Sequence, residues 1–65
     1  MTYPTQEQVR EIVDANGGES SHAIARAAMR LRLTWYEAEQ LYRYGRLTSS
    51  GQMWKRIREQ ADEAR

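Results

Sequence analysis

The sequence has no cysteine and no phenylalanine, and its longest uninterrupted apolar runs are three residues, at 23–25 and 27–29. Without cysteine the chain can form neither a disulfide nor a cysteine-based zinc site. Runs of three are far shorter than the roughly 20 apolar residues of a membrane-spanning helix. The first six residues lack the basic and apolar segments of a secretory signal. We therefore expect a cytoplasmic protein.

Branched aliphatic residues are also scarce, because isoleucine, leucine and valine supply nine of the 65 residues. Such scarcity is typical of disordered chains, but disorder usually also needs a high net charge. Here ten basic residues nearly cancel nine acidic ones, giving a net charge of +1. We therefore expect one small domain with a thin core built on alanine and aromatic residues. In that core, Trp35, Tyr42 and Trp54 replace the missing leucine and phenylalanine.

The near-neutral total hides an uneven distribution of charge along the chain. Residues 1–25 sum to −3, residues 26–58 to +6 and residues 59–65 to −2. A basic middle between two acidic ends is a reason to expect an anionic partner. The alternative is that the arginine stems cover apolar surface of a small domain while their charged heads stay in water.

Four helices are predicted, at about residues 5–16, 20–31, 34–45 and 50–63 of one all-α domain spanning 1–65. Helical spacing of apolar residues supports each of them, and no stretch alternates as a strand does. Three helix starts match the capping-box pattern: Thr5 with Gln8, Thr34 with Glu37, and Ser49 with Gln52. The second helix is expected to bury Ile24, Ala25, Ala28, Met29 and Leu31. The whole predicts a small bundle of three to four helices.

The predicted second and third helices meet at a short corner with a recognisable pattern of residues. Ile24 and Ala25 supply an apolar residue followed by a small one, which permits close helix crossing. Thr34 opens the next helix, and the apolar Ala38 and Leu41 hold that helix in place. On these residues, the segment 20–42 resembles the helix-turn-helix family of DNA-binding domains. In this register Met29 stands at the corner position where the family usually has glycine. The resemblance implies that the third helix lies in the major groove of DNA.

The resemblance implies that outward residues of the third helix meet base edges, where glutamine can bond adenine, arginine guanine and glutamate cytosine. Basic residues nearby would neutralise phosphates. The candidate DNA-binding residues are Arg26, Arg30, Arg32, Thr34, Tyr36, Glu37, Gln40, Arg43 and Lys55.

We expect a non-enzymatic transcriptional regulator of phage or plasmid type that binds double-stranded DNA as a homodimer, with no cofactor and no metal. The dimer would bury Met53, Trp54 and Ile57, which so short a chain cannot fully cover. The alternative is a helical protein-interaction module, an adaptor or an inhibitor of a larger host protein. The aromatic-rich third helix and the acidic ends favour that alternative.

Overall fold

The computed structural model describes residues 3–63, which form four α-helices and no strand. The helices are α1 (Gln6–Ala15), α2 (Ser21–Leu31), α3 (Trp35–Tyr44) and α4 (Ser49–Glu63). The predicted all-α class is confirmed, and each helix bound lies within one residue of its predicted position. Residues 1–2 and 64–65 of the predicted domain lie outside the described range. None of the four helices is long and apolar enough to cross a membrane.

Two of the predicted capping boxes are present in full. At the start of α1, the Thr5 hydroxyl accepts from the Gln8 N–H, and the Gln8 side chain accepts from the Thr5 N–H at 2.8 Å. At the start of α3, Thr34 and Glu37 make the same two bonds, at 3.1 and 2.9 Å. Caps of this kind each stabilise a helix by about 1 kcal/mol. These two helix starts are therefore specified locally.

The first three helices pack around a core of small aliphatic side chains. Four of the nine buried apolar residues are alanines, which let the helices approach closely. The buried set is Val9, Val13, Ala23, Ile24, Ala27, Ala28, Leu33, Ala38 and Leu41. Trp35 and Tyr42 pack half-buried at the edge of this core, and Trp54 lies outside it. Of the three aromatic residues predicted for the core, Trp35 and Tyr42 therefore contribute as partly buried residues at its edge, and the placement of Trp54 in the core is wrong.

The buried side of α2 lies further round the helix than predicted. Ala23 and Ala27 are fully buried, whereas Met29 is 72% exposed. Successive helical residues are about 100° apart, so Met29 falls outside the arc from Ala23 to Ala28 that holds the buried residues of α2. The prediction that Met29 is buried is wrong.

The corner between α2 and α3 consists of Arg32, Leu33 and Thr34. Arg32 has φ 57° and ψ 46°, and it is the one described residue other than glycine with a positive φ. Leu33 is buried, and its N–H donates to the Ala28 carbonyl at 2.9 Å. The left-handed residue therefore follows Ala28 by four positions. This replaces the predicted register, in which Met29 follows Ala25 by four.

Among the described helices, α4 packs against α3 alone. It begins at Ser49, so the predicted cap at that residue is wrong. Instead, Gln40 of α3 accepts from the N–H and the hydroxyl of Thr48 at 2.8 and 2.7 Å, and donates to the Ser50 hydroxyl at 3.2 Å. A Cβ at Gly51 would collide with the Gln40 side-chain oxygen, so this approach requires glycine.

Candidate nucleic-acid interface

Glu37, which the sequence places on the exposed side of the third helix, has no solvent exposure at all. Its carboxylate accepts from the Tyr3 hydroxyl at 2.7 Å and from the Thr34 N–H and hydroxyl at 2.9 and 3.0 Å. Arg58 of α4 donates to the same carboxylate through Nε at 2.9 Å and Nη2 at 3.3 Å. The predicted outward position of Glu37 is therefore wrong, and the side chain has no route to a base edge.

The protonation of this buried cluster follows from its contacts. Burial alone would raise the pKa of the Glu37 carboxyl, but hydrogen bonds from Arg58, Thr34 and Tyr3 outweigh burial and leave the pKa below its ordinary value of 4.5. The hydrogen bond to Glu37 raises the pKa of Arg58. Burial, together with the bond to Glu37, raises the pKa of the Tyr3 hydroxyl. Glu37 is thus a structural anion that joins the N-terminal segment, α3 and α4.

Two further candidates are also occupied inside the fold. Gln40 is 9% exposed, and its amide is used by Thr48 and Ser50 at the start of α4. The Thr34 hydroxyl both donates to Glu37 and accepts from it within the capping box. The predicted exposure of Gln40 is therefore wrong, and Thr34 has no hydroxyl hydrogen left for a phosphate. The partners of Gln40 at the start of α4 explain why helical spacing alone placed it on the exposed side, whereas Thr34 is the helix cap that the sequence predicted.

Arg43 remains on the open side of α3, beside the half-buried Glu39. Its Nη2 lies 3.6 Å from a carboxylate oxygen of Glu19 and 3.7 Å from one of Glu39. The Arg43 side chain is 49% exposed, and ion pairs of this exposed kind contribute at most about 1 kcal/mol. Arg43 can therefore exchange its carboxylate partners for a phosphate or a base edge at low cost.

Tyr36 also remains accessible, at 44% exposure. Its ring stacks on Trp54 of α4 with centroids 4.7 Å apart and meets Trp35 edge-on at 5.6 Å. Trp35 in turn donates its indole N–H to the Ser21 carbonyl at 3.2 Å. The three rings form a continuous aromatic surface from the start of α2 to α4.

Three of the predicted phosphate-contacting arginines are exposed and pair with no carboxylate of the described residues. Arg26 and Arg30 lie one turn apart on the outer side of α2, and Arg32 occupies the corner. None of the three makes an ion pair with another residue in the range 3–63. Because Glu37 is buried and neutralised by Arg58, it does not oppose an anion approaching this side. The α2–α3 unit therefore presents uncompensated positive charge.

A second basic surface lies where α3 turns into α4. Arg46, Leu47, Gln52, Lys55, Arg56 and Glu59 line an open groove there. The Lys55 ammonium lies 4.0 Å from a Glu59 carboxylate oxygen and 4.7 Å from the centre of the Tyr3 ring. Arg46 and Arg56 have no carboxylate partner within the described part of the chain. Both belong to the +6 segment of the sequence, although Lys55 is the one member of this groove among the candidate DNA-binding residues.

No protein-family model, curated protein or solved structure shows significant similarity to this chain. The resemblance of residues 20–42 to the helix-turn-helix family therefore stays a prediction.

Proposed function

We propose that the chain is a small helix-turn-helix-type DNA-binding protein that acts in the cytoplasm as a transcriptional regulator of phage or plasmid type. The observation that carries the proposal is Arg32. It stands at the corner between two capped helices, exposed and in the left-handed conformation.

The left-handed conformation costs a residue other than glycine about 1–2 kcal/mol. Glycine would remove that cost, and it is the residue that helix-turn-helix corners often use. The arginine at this position makes no ion pair within residues 3–63 that would offset the strain. A DNA phosphate would give the guanidinium the partner it lacks. Strain retained at one exposed residue is typical of functional positions.

The remaining exposed residues define how DNA would be contacted. Arg26, Arg30 and Arg32 would neutralise phosphates, while Tyr36 and Arg43 would point from α3 into the groove. With Glu37 and Gln40 buried, Arg43 is the one predicted base reader of α3 with a charged donor group still exposed. Phosphate contacts position a protein on DNA without reading sequence. We therefore propose that backbone contacts dominate affinity and that sequence selectivity is modest.

The test is a fluorescence-anisotropy titration of a labelled DNA duplex at several salt concentrations. We expect the logarithm of the binding constant to fall linearly with that of salt, by about 0.9 in slope for each phosphate neutralised. Arg30→Gln should make the slope shallower by about that amount. The matched control is Arg10→Gln. Arg10 belongs to α1 and lies over the ring of Tyr42 in α3, so its removal should leave the slope unchanged. Absence of binding at low salt would overturn the proposal.

One observation favours a second candidate, the protein-interaction module. Tyr36, Met53 and Ile57 are each between 44% and 50% exposed, and aromatic residues and methionine are enriched at protein interfaces. If this is the function, a single protein partner should be captured, and its binding should survive nuclease and moderate salt. A DNA complex would survive neither.

A further inference from the structure

The outer side of α4 carries an apolar strip that the described chain leaves exposed. Met53, Ile57 and Ala61 follow one another at four-residue spacing, so they lie along one side of the helix. Met53 is 50% exposed and Ile57 is 45% exposed. We call Met53, Ile57 and Ala61 the α4 strip, and Trp54 borders it.

The charges of α4 are divided between its two halves. Lys55, Arg56 and Arg58 precede Glu59, Asp62 and Glu63. Lys55 pairs with Glu59, and Arg58 pairs with Asp62 and Glu37. Arg56 and Glu63 have no ion-pair partner among residues 3–63, although their charges are opposite. They stand seven residues apart, about 10 Å along one side of the helix, which is too far for them to pair within one chain.

We propose that a second copy of this chain covers the α4 strip, with the two α4 helices antiparallel. Antiparallel pairing sets the basic half of each helix beside the acidic half of the other. It gives Arg56 the partner's Glu63, and Glu63 the partner's Arg56. The two charges left over within one chain thus become two identical ion pairs in a symmetric pair of chains.

The same register also fixes which residues face Ile57 and Trp54. When Arg56 of one α4 lies beside the partner's Glu63, Ile57 faces the partner's Gln60 near the symmetry axis. On the side of the helix–helix contact opposite the Arg56–Glu63 pairs, Trp54 then lies beside the partner's Ala61. The bulky ring meets the smallest apolar side chain of the strip, so both flanks are complementary at once. This inference does not rest on DNA binding, because it is argued from the charges and apolar residues of α4 alone.

The test is sedimentation equilibrium of the full chain without DNA, with single charge reversals. Wild type should dimerise, and Arg56→Glu and Glu63→Lys should each weaken association roughly tenfold, because each places like charges at both pairs. An equimolar mixture of the two variants should recover wild-type affinity, since the heterodimer has two opposite-charge pairs. The double variant should recover it as a homodimer.

A second set of variants tests the apolar part of the proposal. Ile57→Glu should abolish association while leaving the helical circular dichroism unchanged, because the position is exposed. The matched control is Met29→Glu. Met29 is likewise an exposed apolar residue but belongs to α2, so this variant should associate as wild type does. A wild type that stays monomeric at several hundred micromolar would overturn the proposal. So would a mixture of charge variants no tighter than either variant alone.

Discussion

The unit formed by α1, α2 and α3 is held together differently from α4. The first three helices share nine buried apolar residues, four of them alanine. In contrast, α4 buries a single residue, Gly51, and is attached to α3 by the polar side chains of Glu37 and Gln40 together with the stacked rings of Tyr36 and Trp54. Apolar packing tolerates small shifts, whereas a buried carboxylate and a buried amide require particular partners at particular positions.

This difference explains the orientation of α4. Arg58 must reach Glu37, and Thr48 and Ser50 must reach Gln40, so two separate points along α4 are fixed on α3. The helix cannot slide or rotate to bury Met53 and Ile57 without breaking these bonds. The polar attachment therefore leaves the apolar strip exposed, which a purely apolar attachment would not do.

The largest expected effect comes from removing the buried carboxylate. Glu37→Ala leaves Arg58, Tyr3 and Thr34 without their acceptor, and breaking a buried ion pair costs about 3–5 kcal/mol. Because the Arg58 side chain is 22% exposed and can regain water, we expect the lower end, about 3 kcal/mol. Urea unfolding measures the loss. The matched control is Glu39→Ala on the same helix, for which we expect less than about 1 kcal/mol, and equal losses in both variants would contradict the polar attachment.

Acid should weaken the same attachment without any substitution. Because the pKa of Glu37 is lower in the folded chain than its ordinary 4.5, the stabilisation is complete above that pH and is lost as pH falls through the lowered pKa. Urea midpoints measured between pH 7 and acid pH should therefore fall more steeply for wild type than for Glu37→Gln. Parallel curves for the two proteins would show that Glu37 is not the group responsible.

The next effect concerns the close approach of Gln40 to α4. Gly51→Ala should destabilise the chain by about 1–2 kcal/mol, since the added methyl group collides with the Gln40 oxygen. In a Gln40→Ala background the same change should cost much less, because the remaining contact with Leu47 at 3.2 Å is offset by the better helix propensity of alanine. Thermal unfolding of the four proteins measures both values. A loss of the same size in both backgrounds would contradict the contact.

Sequence reasoning succeeded where the signal is local and failed where a distant residue decides. The capping boxes at Thr5 and Thr34 need residues three apart, and the apolar stripes need residues three or four apart, so the bounds of all four helices could be predicted within one residue. The burial of Glu37 depends on Arg58, which is 21 residues away, and that of Gln40 on Thr48. When α3 is considered alone, Glu37 is also predicted to lie on the surface, because capping glutamates are usually exposed. Gly51 inside a predicted helix was the one available sign of a close neighbour.

The corner register shows the same limit at shorter range. Both Ala25 and Ala28 fit the small position of a helix-turn-helix pattern. The residues four positions after them are Met29 and Arg32, and because neither is glycine the sequence does not distinguish the two registers. The choice is made by Leu33, whose burial and bond to the Ala28 carbonyl set Arg32 in the left-handed conformation. The backbone geometry therefore shows what the sequence could not, that Arg32 holds a left-handed conformation which usually favours glycine.

The most direct measurement of the account's central claim compares stability and DNA affinity in Arg32→Gly. Relief of the left-handed strain, less the greater freedom of glycine in the unfolded chain, should stabilise by about 0.5–1 kcal/mol. Loss of the guanidinium should weaken duplex binding and make its salt dependence shallower by about 0.9 in slope. Arg32→Lys, which keeps the charge, should retain most of the binding. A more stable Arg32→Gly protein that binds DNA as wild type does would contradict the claim that Arg32 is there for an anionic partner.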